Sequence, residues 1–140
     1  MARSADNLYY LTDVVHGQWS SGERDRIIVQ TAELDRQKWG TVSVVFEQEP
    51  GSSGVDVALA TVKMLAGFPV RPDKVTGSKD VRLEPFAAQA EVGNVRLVRG
   101  GWNGPWLEEM MAVPNGRYRD QADATAGAFS YLAARGVYFG

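Results

Sequence analysis

Glu47 closes an apolar, β-type run over residues 41–46, and Asp120 and Asp123 open an alanine-rich helix far along the chain. Carboxylates at a strand end and at a helix start can converge in an α/β domain to hold Mg2+ or Mn2+, the ions of phosphodiester hydrolysis. These three acids are the candidate catalytic and metal-ligating residues. Each also has a plainer reading: Asp120 as a helix N-cap, Asp123 as a first-turn acid, and Glu47 as a solvated residue beginning a loop. Glu49, two residues on, is placed to substitute for Glu47 or to assist it. Folds that use this arrangement put a further Asp on their first strand, and this sequence is expected to start after that strand.

The elements that must position the acids alternate between strand and helix. Residues 8–15, rich in Tyr, Leu and Val, read as a strand leading to a turn at His16 and Gly17. Ser20 and Glu23 form a capping box, and a helix over about 22–38 should follow, stopped at Gly40. Residues 41–46 are apolar or small on both faces, as a central parallel strand covered by helices requires. A loop over 49–54 leads to a helix near 55–66 that ends at Gly67. Residues 70–75, interrupted by Pro72, read as a short strand or extended segment, 83–92 as a helix with Pro85 in its first turn, 94–99 as a strand and 102–111 as a short helix. The last helix, about 119–134, ends at Gly136. On it Asp120, Asp123, Ala124, Gly127 and Tyr131 share one face, and the small residues beside the acids would let that face lie close to a sheet.

Composition limits the chemistry available. At 140 residues, 44% hydrophobic and 23% charged, the sequence is long enough for one hydrophobic core and is read as a single domain over 1–140. Without cysteine there is no disulfide, no thiolate nucleophile and no Cys-bound zinc, which suits a reducing cytoplasm. One histidine, His16, makes a histidine-built metal site unexpected and leaves oxygen ligands for hard divalent ions. The balance of 15 basic against 17 acidic residues gives no global attraction to nucleic acid, so DNA contact must come from a local patch. No apolar stretch approaches the roughly 20 residues of a membrane helix, and no membrane partner is expected. The glycine-rich loop at 51–54 lacks the GxxxxGK[ST] pattern of a nucleotide-binding P-loop.

Several blocks, in order, resemble a known family: YYLTDVV at 9–15, WSSGER at 19–24, EQEPGSSG at 47–54, TGSK at 76–79, FAAQAEVGNVRLV at 86–98, WN at 102–103 and DQADA at 120–124. They are similar to the C-terminal nuclease domain of the large terminase subunit of tailed bacteriophages, and the likeness runs over nearly the whole chain. The resemblance implies a ribonuclease H-like fold, a mixed sheet flanked by helices, whose first strands and their metal-binding Asp are expected to be missing. It implies a metal-dependent endonuclease, a hydrolase that cuts concatemeric viral DNA to genome-length units during packaging in the host cytoplasm. Glu47 then matches the acid of the central strand, and Asp120 and Asp123 match the acids of the last helix. Together they would hold two Mg2+ or Mn2+ ions about 4 Å apart. Double-stranded DNA is the implied substrate, with the portal and the terminase small subunit as protein partners. The packaging ATPase domain is not expected in this chain.

Relatives often carry two adjacent acids where this chain has Arg119 and Asp120, so Arg119 is expected to contact phosphate or to pair with a neighbour. Asp6 and Asp13 are read as structural, Asp6 in a hairpin turn and Asp13 within a strand. Lys79, Arg82, Arg117 and Arg119 are the candidate DNA contacts. Trp19, Trp39, Trp102 and Trp106 are expected in packing rather than as base-stacking platforms. An incomplete metal site is expected to cleave little by itself. The competing reading is a non-catalytic module that keeps the fold in order to bind DNA or a packaging partner.

Overall fold

The computed structural model describes residues 1–135 and divides into two compact units, one formed by residues 1–16 with the segment from Thr76 onward, the other by residues 17–75. Both mix strands with helices, and among the described residues there are five helices and two small sheets. None of these helices is long and apolar enough to cross a membrane.

The first unit carries a three-stranded sheet in the order β1 (Ala2–Arg3), β2 (Tyr9–Leu11), β5 (Val95–Leu97). The pairing of β1 with β2 is antiparallel, and Tyr9, Tyr10 and Leu11 run parallel to Val95, Arg96 and Leu97. The β1–β2 turn holds Asn7 at φ 65, a left-handed conformation that asparagine tolerates. There Ser4 bonds Asp6, which places Asp6 in the turn as expected. The β2 strand is shorter than its sequence suggests: it ends at Leu11, so Asp13 lies beyond it and accepts from the Val14 amide. Strand alternation directs Tyr9 and Leu11 inward, at 5% and 3% exposure.

Against this sheet lies a core of Leu83 and Phe86 from α3 (Lys79–Glu91), Trp106 from α4 (Asn103–Ala112), and Ala122, Ala126 and Phe129 from α5 (Asp120–Arg135). Phe129 stands 4.7 Å from the Tyr9 ring and 5.7 Å from Phe86, with Trp106 edge-on to Phe86 at 6.2 Å. The methyl side chains of Ala122 and Ala126 let α5 pack closely here. The buried stripe of α5 is thus Gln121, Ala122, Thr125, Ala126 and Phe129, and the face bearing Asp120, Asp123, Gly127 and Tyr131 flanks it. The expected helix stop at Gly136 lies outside the described residues.

Helix α3 begins at Lys79, behind the N-cap Ser78, so Pro85 sits well inside it rather than in its first turn. Ser78 accepts from the Asp80 amide, a side-chain cap strong enough to start the helix upstream of the apolar run. The main-chain bond that proline cannot make would have gone to Val81, which is 58% exposed and leaves that carbonyl accessible to water.

The second unit is α1 (Ser21–Trp39), β3 (Val44–Gln48), α2 (Ser52–Met64) and β4 (Val70–Lys74). The capping box starts α1: Glu23 donates its amide to the Ser20 hydroxyl and accepts from the Ser20 amide, while Gly40, at φ 86, ends the helix. Strands β3 and β4 run parallel, Val44 opposite Val70 and Glu47 opposite Asp73, with α2 as the crossover between them. The strand expected over 41–46 is shifted toward its carboxyl end, it is half-buried throughout, and β4 is its one neighbour in this sheet. In this unit Trp39 is 51% and Trp19 39% exposed, so neither is a core residue, whereas Trp106 of the first unit is buried as expected.

Candidate functional site

Asp120 and Asp123 lie in the first turn of α5, where the exposed amides of a helix N-terminus favour negative charge. The capping role that either might fill belongs to a residue of another helix. Glu109 of α4, 8% exposed, accepts from the Ala122 amide at 2.7 Å and from the Gln121 side-chain amide at 3.1 Å. One turn on, Thr125 donates to the Gln121 carbonyl at 2.7 Å and accepts from the Trp106 indole N–H at 3.1 Å. These buried bonds fix the start of α5 against α4 and leave the two aspartates available for other contacts.

Asp123 has its contacts. Its side chain is 13% exposed, its Oδ2 accepts from Lys79 Nζ at 3.0 Å, and its Oδ1 lies 3.8 Å from Arg119 Nη2. The Arg119 guanidinium also binds Asp80, the second residue of α3. Arg119 is 22% exposed, and its Nε and Nη2 are buried with no hydrogen-bond partner. Two helix N-termini, α3 and α5, are therefore joined by a chain of alternating charge: Lys79, Asp123, Arg119, Asp80. Asp120 is exposed, and no ion pair or hydrogen bond among the described residues holds it. Of the candidate DNA contacts, Lys79 and Arg119 come together at Asp123. Arg82 lies half-buried one turn into α3, and Arg117 stacks over Tyr118 at 5.3 Å in the segment before α5.

In the second unit, Glu47 is the penultimate residue of β3 and stands in register with Asp73 of β4, so two carboxylates lie on one face of that parallel pair. A tight turn follows β3. Gly51, at φ 91, precedes α2, and Gly54 lies so close to the main chain of Glu49 that a Cβ there would fall 1.8 Å from the Glu49 carbonyl oxygen. No side chain caps α2.

A family profile for the terminase RNaseH-like domain matches residues 1–132. The chain belongs to that family. Its mixed α/β architecture, with helices around parallel strand pairs, is consistent with an RNase H-like domain. No curated protein and no solved structure matches the chain. The family assignment supports a nuclease-type terminase module.

Sequence reasoning did not find Asp73, Asp80 or Glu109. Asp80 follows the TGSK block directly and lies in the first turn of α3, a position where acids are favoured, which was the available signal. Asp73 and Glu109 carry no comparable signal, because their significance comes from register and from packing between helices. Asp120 and Asp123 offer carboxylate oxygens at i and i+3 in the first turn of α5, the hard donor type that Mg2+ takes. Among the described residues, no group of three or more His, Asp or Glu side chains is arranged to hold a metal ion.

Proposed function

We propose that this chain is the endonuclease module of a terminase large subunit, using Mg2+ or Mn2+ to cut concatemeric double-stranded DNA during packaging. Membership of the terminase RNaseH-like family supports the class of reaction. The observation that carries the metal reading is Asp123, a largely buried carboxylate that already draws two cationic side chains at the start of an anchored helix. In this proposal Asp120 and Asp123 supply oxygen ligands, with Glu47 of β3 as the further carboxylate. A bound divalent ion would supply a deprotonated water and stabilise the leaving oxygen, so the reaction needs no side-chain nucleophile.

The chain's own residues do the positioning. Glu109 and Thr125 fix the helix that presents Asp123, and Arg119 restrains its carboxylate from the side of α3. Lys79 and Arg119 place positive charge where a phosphate would approach, with Arg82 and Arg117 as outer contacts. The portal and the terminase small subunit are the protein partners this reading proposes.

Calorimetric titration with Mn2+ tests the proposal. Saturable binding is expected in the wild-type protein, weakened about tenfold or more by Asp123→Asn. Binding unchanged in that variant would overturn the metal assignment. The ion pair at Asp123 also favours a second reading, a module whose Lys79 takes the place of the ion and whose role is DNA or partner binding. Absence of Mn2+ binding together with intact duplex binding would select it.

A further inference from the structure

We propose that the outer face of α2 docks on the same face of a second copy of this chain, the two helices lying antiparallel about a two-fold axis between Leu59 and Ala60. The inference concerns the second unit alone, and it is independent of the metal reading because none of the candidate ligands takes part.

The face is defined by what α2 buries. Gly54 and Ala58, one turn apart, are the buried residues of this helix, which packs on β3 and β4. The opposite side therefore carries Asp56, Leu59, Ala60 and Lys63, at the i, i+3, i+4, i+7 spacing of a helix stripe, and all of them are exposed. Leu59 is 64% exposed, and Val55, Val57 and Val62, which flank the stripe, are exposed as well. A surface helix ordinarily turns such side chains inward; a contiguous apolar patch turned outward marks an interaction surface.

The charges identify the occupant. Asp56 and Lys63 are the charged residues of α2, at opposite ends of the stripe, and neither side chain forms an ion pair among the described residues. They stand about 10 Å apart along the helix axis. Turning a second copy end for end sets its Lys63 against Asp56 and its Asp56 against Lys63, and it sets its Ala60 against Leu59, small against large. A parallel pairing would oppose like charges. The stripe is thus complementary to itself in the antiparallel sense, the requirement for an isologous contact, and every favourable pair occurs twice. Met64, at the end of α2, also lines an apolar groove of about 490 Å3 with Val29 and Leu34 of α1, so apolar surface continues past the stripe. Two short helices bury less than a standard interface, which places the pairing among weak, concentration-dependent associations.

Sedimentation equilibrium of the 140-residue protein over a range of concentrations tests the proposal, with circular dichroism as the check on folding. The wild type should follow a monomer–dimer equilibrium. Asp56→Lys and Lys63→Asp each oppose like charges at both ends of the contact, and each should raise the dissociation constant about tenfold or more. An equal mixture of these two variants should associate again, because the charges of one then oppose those of the other. Leu59→Glu, at an exposed position, should abolish dimers at the same concentrations. A wild-type protein that remains a monomer throughout, leaving the face to a different partner, would overturn the proposal. So would a dimer that the three variants leave unchanged, or a mixture no more associated than its separate components.

Discussion

Gly54→Ala separates two opposed expectations in sign. Gly54 occupies the first turn of α2, and replacing an ordinary helical glycine by alanine stabilises a helix by up to about 1 kcal/mol. Here the added Cβ would lie 1.8 Å from the Glu49 carbonyl oxygen and 2.6 Å from its carbon, whereas real Cβ contacts essentially never fall below 3.0 Å. The obstructing atoms are backbone, so either the loop or the helix must retreat by at least 1.2 Å, the difference between 3.0 and 1.8 Å. Overpacking of this kind costs about 1–3 kcal/mol, occasionally more, which exceeds the propensity gain. Thermal unfolding followed by circular dichroism should show a Tm lowered by roughly 4–12 °C. Gly22→Ala is the control: its Cβ would meet nothing within 4 Å, so the same substitution in the first turn of α1 should be neutral or stabilising. A Gly54→Ala protein that melts at or above the wild-type temperature would refute the close approach.

Other substitutions test the remaining supports. Glu109→Ala removes the acceptor for the Ala122 amide and the Gln121 side chain and should cost about 1.5–3 kcal/mol in urea unfolding, with Glu109→Gln costing less; a loss below about 0.5 kcal/mol would show that the cap contributes little. Phe129→Ala opens the ring cluster between Tyr9 and Phe86 and should destabilise by about 3–5 kcal/mol, measured the same way. Ser78→Ala removes the cap of α3 and should cost about 1 kcal/mol. Duplex DNA affinity should fall steeply between low and physiological salt if Lys79, Arg82, Arg117 and Arg119 contact phosphates, and a flat response would remove them from the interface.

Much of the local structure is legible in the sequence, because its signals act over a few residues. The capping box at Ser20 and Glu23 forms as its spacing demands, and the helix expected near 55–66 is present, beginning earlier, at Ser52, inside the stretch 49–54 expected as a loop. The apolar strand ending near Glu47 pairs in parallel with the strand at 70–74. Where prediction departs from the structure, a competing local effect or a tertiary one decides. Pro85 suggests a helix start near residue 83, but Ser78 and Asp80 start it a turn earlier. The two-residue strand β1 is too short to carry a periodic signal and exists through its pairing with Tyr9 and Tyr10.

The site shows the same division. The acids of the last helix stand out because Asp120 and Asp123 interrupt an alanine-rich pattern, and the expectation that Arg119 pairs with a neighbour matches its contact with Asp80. That Glu109 caps α5 from α4, and that Lys79 reaches Asp123, depends on how helices pack, which no local pattern encodes. Helical period places Asp123 on a face with Gly127 and Tyr131, but burial of Ala122, Ala126 and Phe129 turns that face to the flank of the core.

The central claim, that Glu47, Asp120 and Asp123 bind shared divalent ions, is tested most directly by mapping where bound Fe2+ cuts the polypeptide in the presence of ascorbate and peroxide. Radicals formed at the ion cleave the nearest main chain, so the readout needs no DNA and no turnover. The account predicts cuts beside Glu47 and beside Asp120 and Asp123, suppressed by excess Mg2+ and absent in Asp123→Asn. Cuts confined to one of these segments, or a pattern indifferent to Mg2+ and to Asp123→Asn, would contradict it.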